Sequence, residues 1–120
     1  MLLDSNVLIY SIIPEYSFLM ESFRSQELFA SEISYLEVLG FSNITDSDKD
    51  DLQEILDSIN LLEVNFEIIQ KATSLRQNRK MSTGDAIIAS TALIRDLPLV
   101  TANVTDFKWI KELKLINPFG

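Results

Sequence analysis

Apolar residues along this chain fall into two alternating patterns: short runs, and longer stretches in which they recur every three or four positions. Alternation of that kind predicts an α/β domain with a largely parallel sheet. Met1 to Leu3 form the first run, ending at Asp4. Ser5-Asn6 then opens a helical stretch through Val7, Leu8, Ile9, Ile12 and Ile13, which Pro14 stops. Leu28-Phe29-Ala30 reads as a second strand. Ser31 can cap a helix that runs to about Leu39 before Gly40, with Ser34 as a later cap. Between Asp46 and Ile59, Leu52, Ile55, Leu56 and Ile59 recur at helical spacing opposite an acidic face.

The second half repeats the alternation. Leu61 to Val64 reads as a third strand, and Phe66 to Lys80 as an amphipathic helix. In that helix Ile68, Ile69, Ala72 and Leu75 point inward, while Lys71, Arg76, Arg79 and Lys80 point largely outward. Ser82-Thr83-Gly84-Asp85 reads as a helix start, and the apolar segment from Ala86 to Ile94 follows. Its Ala86, Ala89 and Ala92 would let it lie close against the sheet. Leu97 to Val100 reads as a fourth strand, Asp106 to Leu113 as a short helix and Lys114 to Ile116 as a last strand. No internal repeat or linker interrupts the 120 residues, which are expected to form one domain, 1–120.

Composition narrows the chemistry. The chain has no cysteine and no histidine, which removes thiolate zinc sites, disulfides, and the commonest general base and metal ligand. Carboxylates, lysines or hydroxyls must carry any reaction, and carboxylates favour hard cations such as Mg²⁺ or Mn²⁺. No apolar run approaches the ~20 residues that span a bilayer, and no basic stretch precedes an apolar one at the N-terminus. A cytoplasmic protein without a membrane association is the expectation.

The net charge of −8 argues at first against a nucleic-acid partner, but it is unevenly spread. Residues 1–70 hold 14 acids against Arg24 and Lys49, a net of −12. Residues 71–120 hold four acids against eight bases, a net of +4, so the halves recover −8. A solvated acidic helix face would also produce this asymmetry.

Most of the 18 acids sit where solvated acids belong, several near a helix start that favours negative charge. Four are embedded in apolar sequence at the ends of elements. Asp4 ends the first strand, at the edge of a parallel sheet where ligands bind. Glu37 lies beside Ile33 and Phe41 on an otherwise apolar helical face, with no base one turn away. A carboxylate buried there would need a cation from elsewhere in the fold. Asp85 starts the most apolar helix, and Asp106 follows the last long apolar run. Asp4, Asp85 and Asp106 could each be a simple helix cap, and Glu37 could belong to a chance salt bridge. If the four converge, they repel one another unless a divalent cation lies between them. Such an ion can activate water and stabilise displacement at phosphorus.

These residues resemble a known family. Leu2-Leu3-Asp4-Ser5-Asn6-Val7-Leu8-Ile9-Tyr10 looks like the first motif of PIN-domain nucleases, and Ser31 to Phe41, around Glu37, like the second. Gly84-Asp85-Ala86-Ile87-Ile88-Ala89-Ser90-Thr91-Ala92 looks like the third, and Thr101-Ala102-Asn103-Val104-Thr105-Asp106-Phe107 like the fourth. Compact members of that family are mostly VapC-type toxins, ribonucleases held inactive by an antitoxin. The resemblance implies a single α/β domain with a central, mainly parallel sheet flanked by helices on both faces, Mg²⁺ or Mn²⁺ dependence, RNA cleavage, an antitoxin partner and commonly a homodimer. It implies that Asp4, Glu37, Asp85 and Asp106 form the acidic quartet that holds the metal. Asn6, Thr101 and Asn103 would then be polar supports. One departure touches the last acid: the family places it at either of two positions, one of which is Asn103 here, so Asp106 must supply it. Arg76, Arg79, Lys80 and Lys108 are the candidate source of positive charge for RNA.

Competing readings fit less well. A phosphoacceptor receiver domain would want paired acids after the first strand and a late strand-end lysine, and neither is present. A phosphatase with Asp-x-Asp fails because position six is Asn6. The stronger rival is a PIN-like protein that binds RNA or protein without cutting. The apolar residues Ile12, Ile13, Tyr16, Phe18 and Leu19 offer surface for self-association.

Overall fold

The computed structural model describes residues 1–120. Five strands form one sheet, all parallel, in the order β3-β2-β1-β4-β5. The strands are β1 (Leu2–Leu3), β2 (Phe29–Ser31), β3 (Asn60–Leu62), β4 (Leu99–Val100) and β5 (Leu115–Ile116). The helices are α1 (Ser5–Ser11), α2 (Phe18–Ser22), α3 (Glu32–Leu39), α4 (Asp46–Ser58), α5 (Phe66–Asn78), α6 (Thr83–Arg95) and α7 (Val104–Phe107). No helix is long and apolar enough to cross a membrane.

Alternation along the strands decides what each face buries. Leu2, Leu62 and Leu99 join Leu75 of α5, Ile88, Ala89 and Ala92 of α6, and Phe107 in one core. Leu3, Ala30 and Val100 point the other way, onto Val7, Leu8, Leu19, Val38, Leu52 and Leu56. A parallel sheet has to be covered on both faces, and here it is. The sheet's hydrogen bonds are few because its strands are two or three residues long. Apolar burial, at about 1.5–3 kcal/mol per large side chain, therefore carries much of the stability.

Helix starts are set by side-chain caps. Asp4, Ser31, Thr45, Asn65 and Ser82 each stand in extended conformation and accept a backbone N–H at the start of α1, α3, α4, α5 and α6 respectively. Asp4 and Ser31 are also strand ends, so chain direction reverses within one residue. Because β2 and β4 flank β1, the sheet changes direction of growth at β1. The crevice beyond the carboxyl ends of β1 and β4 is where ligands bind in such sheets.

Several expectations shift. The helix foreseen over Asp106 to Leu113 is α7, at Val104–Phe107. Phe107, Ile110 and Leu113 are spaced by three, and successive i→i+3 turn bonds keep all three buried where a 3.6-residue helix would rotate them apart. A 3₁₀ turn at Pro14–Tyr16 and the five-residue α2 were not foreseen. Leu19 of α2 is 0 % exposed, in the core rather than on a surface for self-association. Ile69, expected inside, is exposed because Ile68, Ala72 and Leu75 form the inward stripe of α5. Phe119 closes the N-terminal region, packing edge-on against Tyr10 and Tyr16.

Candidate active site

Asp4 is the most enclosed of the four acids, 3 % exposed. Its Oδ1 accepts the Ser5 N–H at 2.8 Å and its Oδ2 accepts the Thr101 hydroxyl at 2.7 Å. The capping role is therefore real, but it uses one oxygen only. Thr101 Oγ1 itself accepts the Asn103 N–H at 2.9 Å, which leaves its single hydrogen for Asp4. Burial raises the Asp4 pKa above the ordinary carboxylate range. The Thr101 hydrogen bond opposes this, and the charges of Asp85 and Glu37 reinforce it. No base acts on this carboxyl.

Glu37 departs from its expected burial. It is exposed on α3, because Phe41, half of the apolar face inferred for it, lies at the surface. What fixes it is a hydroxyl chain. Ser5 Oγ lies 2.7 Å from Glu37 Oε1 and 2.8 Å from the fully buried Ser34 Oγ. A serine has one hydroxyl hydrogen, so Ser5 donates to the carboxylate and accepts from Ser34. On the other side the Glu37 carboxylate lies against Gly84, where a Cβ would collide with Oε2.

Asp85 is partly buried in the first turn of α6, where its backbone N–H donates to Ser82 Oγ at 3.1 Å. Burial raises its pKa. The Ser82 hydroxyl partly offsets that, and the charges of Asp106 and Glu37 add to it. Asp106 is exposed in the first turn of α7 and influences Asp85 but not Asp4. Asp85 and Asp106 share a cavity of about 690 Å³ with Arg76, Arg79, Lys80, Met81, Ser82 and Thr105. Asp4 and Glu37 lie outside that lining.

Asp85 is thus the hub. Its charge acts on Asp4, and the charges of Glu37 and Asp106 act on it. Of the proposed supports, Thr101 is buried and bonded to Asp4. Asn6 and Asn103 are exposed, and their side chains bond to none of the four acids. Ser5, Ser34 and Gly84 were missed by sequence reasoning, although each had a signal. Ser5 follows Asp4 directly, Ser34 precedes Glu37 by one helical turn, and Gly84 precedes Asp85.

Mutually repelling carboxylates, one of them buried with no base beside it, fit a hard divalent cation by their oxygen-only donor chemistry. They do not form a closed cage: no three are drawn together at the spacing a single ion requires. Asp4, Glu37, Asp85 and Asp106 are the residues that would hold such an ion.

A five-stranded parallel sheet with acids at the carboxyl ends of its central strands is the architecture of a family of small α/β domains. The family model described as PIN domain matches residues 1–112, and the chain belongs to this family. No curated protein matches. A chain in a toxin–antitoxin complex from Klebsiella pneumoniae is 26% identical, with a TM-score of 0.77, over 98% of this chain and 96% of that one. DNA-bound VapBC from Salmonella typhimurium superposes with a TM-score of 0.82 at 19% identity, over 98% and 96% of the two chains. VapBC-1 from nontypeable Haemophilus influenzae gives 0.80 at 23% identity, over 99% and 98%.

Proposed function

We propose that the chain is a Mg²⁺- or Mn²⁺-dependent endoribonuclease and the toxin of a toxin–antitoxin pair. One observation carries the chemistry: Asp4 is buried, is held by two hydrogen bonds, and faces the charges of Asp85 and Glu37 with no base to neutralise it. Folding would not keep such an arrangement for stability's sake. Membership of the PIN family and similarity to a chain from a toxin–antitoxin complex support the reading.

In this reading Asp4, Glu37, Asp85 and Asp106 hold the ion. When bound, the ion supplies Lewis acidity at the phosphate and a nucleophile at neutral pH. Thr101 orients Asp4 through its hydrogen bond, and the exposed Asn6 and Asn103 would be polar supports. Glu37, oriented by Ser5 and open to solvent, is placed to take the proton from an attacking water. Attack in line at phosphorus breaks the bond to the 3′-oxygen, which takes up a proton from solvent, and leaves a 5′-phosphate and a 3′-hydroxyl. The alternative, attack by the 2′-hydroxyl of the RNA, usually relies on histidine as acid and base, and the chain has no histidine. A homodimer, bound by an antitoxin in the cytoplasm, completes the assignment.

The open spacing of the carboxylates is what favours the second reading, a PIN-like module that binds without cutting. One experiment separates them. Purified protein and its Asp4→Asn variant are incubated with total RNA in Mn²⁺ or EDTA, and the product ends are analysed. Cleavage by wild type alone, in Mn²⁺ alone, with 5′-phosphate ends is expected. Cyclic phosphate ends, or full activity in EDTA, would overturn the mechanism.

A further inference from the structure

The cavity beside Asp85 and Asp106 has two walls of opposite charge. Arg76, Arg79 and Lys80, from the C-terminal end of α5 and the turn after it, face the two acids, and Met81 is the sole apolar residue in the lining. Flexible bases this close to acids ordinarily fold onto them, yet none does. The one ion pair in the structure is Arg24 with Glu21, elsewhere on the chain.

Two contacts help keep the bases on their own wall. Arg76 Nε donates to the Met81 carbonyl at 3.1 Å, which leaves its two terminal nitrogens free. Arg79 lies over Trp109, 5.7 Å from the ring centre. Stacking occupies the guanidinium's face and leaves its in-plane N–H edge free to bind an oxyanion. Lys80 makes no hydrogen bond or ion pair. Free cationic donors facing unneutralised acids suit a ligand that is anionic on one side and meets a metal on the other. Phosphate in a nucleic-acid chain is such a ligand.

The site also has room beyond the phosphate. A second groove of about 580 Å³ between α5 and α6 shares Arg76, Lys80 and Met81 with the first, and continues onto Ala72, Ala86 and Ile87. An apolar floor next to a basic wall is what a nucleotide needs once its phosphate is held.

Resting on the ribonuclease reading, we propose that this cavity is an RNA subsite: Arg76, Arg79 and Lys80 bind the backbone phosphate neighbouring the one cleaved, and its nucleotide lies along the α5–α6 groove. The bases would thereby supply the positive charge that the acidic chain otherwise lacks.

The test is binding of a fluorescent single-stranded RNA oligonucleotide in EDTA, which prevents cleavage, by anisotropy over a range of salt. Wild type is compared with Arg79→Ala, Lys80→Ala and Lys114→Ala. Lys114 lies at the amino end of β5, the opposite end of the sheet, and its loss changes the net charge equally. Arg79→Ala and Lys80→Ala are each expected to weaken binding about 3- to 10-fold and to lower the salt slope by about one. Lys114→Ala should do neither. Lys80 is exposed and unbonded, so its variant tests the site even if Arg79→Ala disturbs Trp109. Equal binding by all four proteins, with wild type still cutting RNA in Mn²⁺, would overturn the subsite and leave the nuclease standing. A wild-type protein that neither binds nor cuts RNA would overturn both.

Discussion

Thr101 and Ser5 divide the two oxygens of Asp4 between them, and each bond can be tested on its own. Thr101→Val keeps the shape but leaves Oδ2 buried with no donor, at a cost of roughly 1–3 kcal/mol. Calorimetric Mn²⁺ affinity should fall about 10- to 100-fold with it. Asp85 carries a prediction of opposite sign for stability. Its pKa is raised in the folded state, so folded protein holds that proton more tightly than unfolded protein does. The stability that Asp85 contributes is therefore fully present below the ordinary carboxylate pKa, is lost as pH rises through the raised value, and stays flat above it. Asp85→Asn, which never ionises, should melt higher than wild type in EDTA at pH 7 by roughly 2–5 °C. The gap should close toward pH 4, and RNA cleavage should drop at least about 100-fold. Melting curves across pH check the first claim and activity assays the second. The enclosure of Asp4, and in part of Asp85, was legible because apolar sequence adjoins them. The exposure of Glu37 was not, because Ile33 and Phe41 suggest a core face whereas Phe41 lies at the surface.

At the scale of elements, α6 shows how a helix start serves a site. Ser82 caps it, and Gly84 lets the Glu37 carboxylate of α3 approach its first turn. Gly84→Ala should gain up to about 1 kcal/mol of helix propensity, because the atom that a new Cβ meets is the end of a flexible side chain that can swing away. It should nonetheless lose most activity, by moving Glu37 off Ser5. A variant with an unchanged or raised melting temperature and at least about tenfold less cleavage is the expected result; normal cleavage would show that Glu37 need not stay there. Helices with a clear apolar stripe and a polar cap, such as α4 and α5, were readable from sequence to within two residues. The region of α7 was not, since Phe107, Ile110 and Leu113 recur at three residues rather than 3.6. Nor was α2, whose five residues are too few to show a period.

For the molecule as a whole, Mn²⁺ at millimolar concentration should raise the melting temperature by mass action, and a transition indifferent to the ion would count against the quartet. Self-association has a simple readout, a light-scattering mass of about twice 13.7 kDa at high concentration. Its surface cannot include the buried Leu19, whereas Phe18 remains exposed. Sequence patterning alone conveyed the α/β class, since runs and helices alternate. It could not convey the strand order, because β1 and β4 pair across almost the whole chain and no local pattern encodes that. That pairing bears on how the protein is made. Synthesis proceeds at roughly 5–20 residues per second, so Thr101 is added about 5 to 20 s after Asp4. Until then the growing chain has no β4 to complete the sheet and no hydroxyl to orient its first carboxylate, and for much of that interval it lacks Asp85 as well. On the ribonuclease reading, a growing chain without β4 would be inactive, and so would any fragment ending before Leu99.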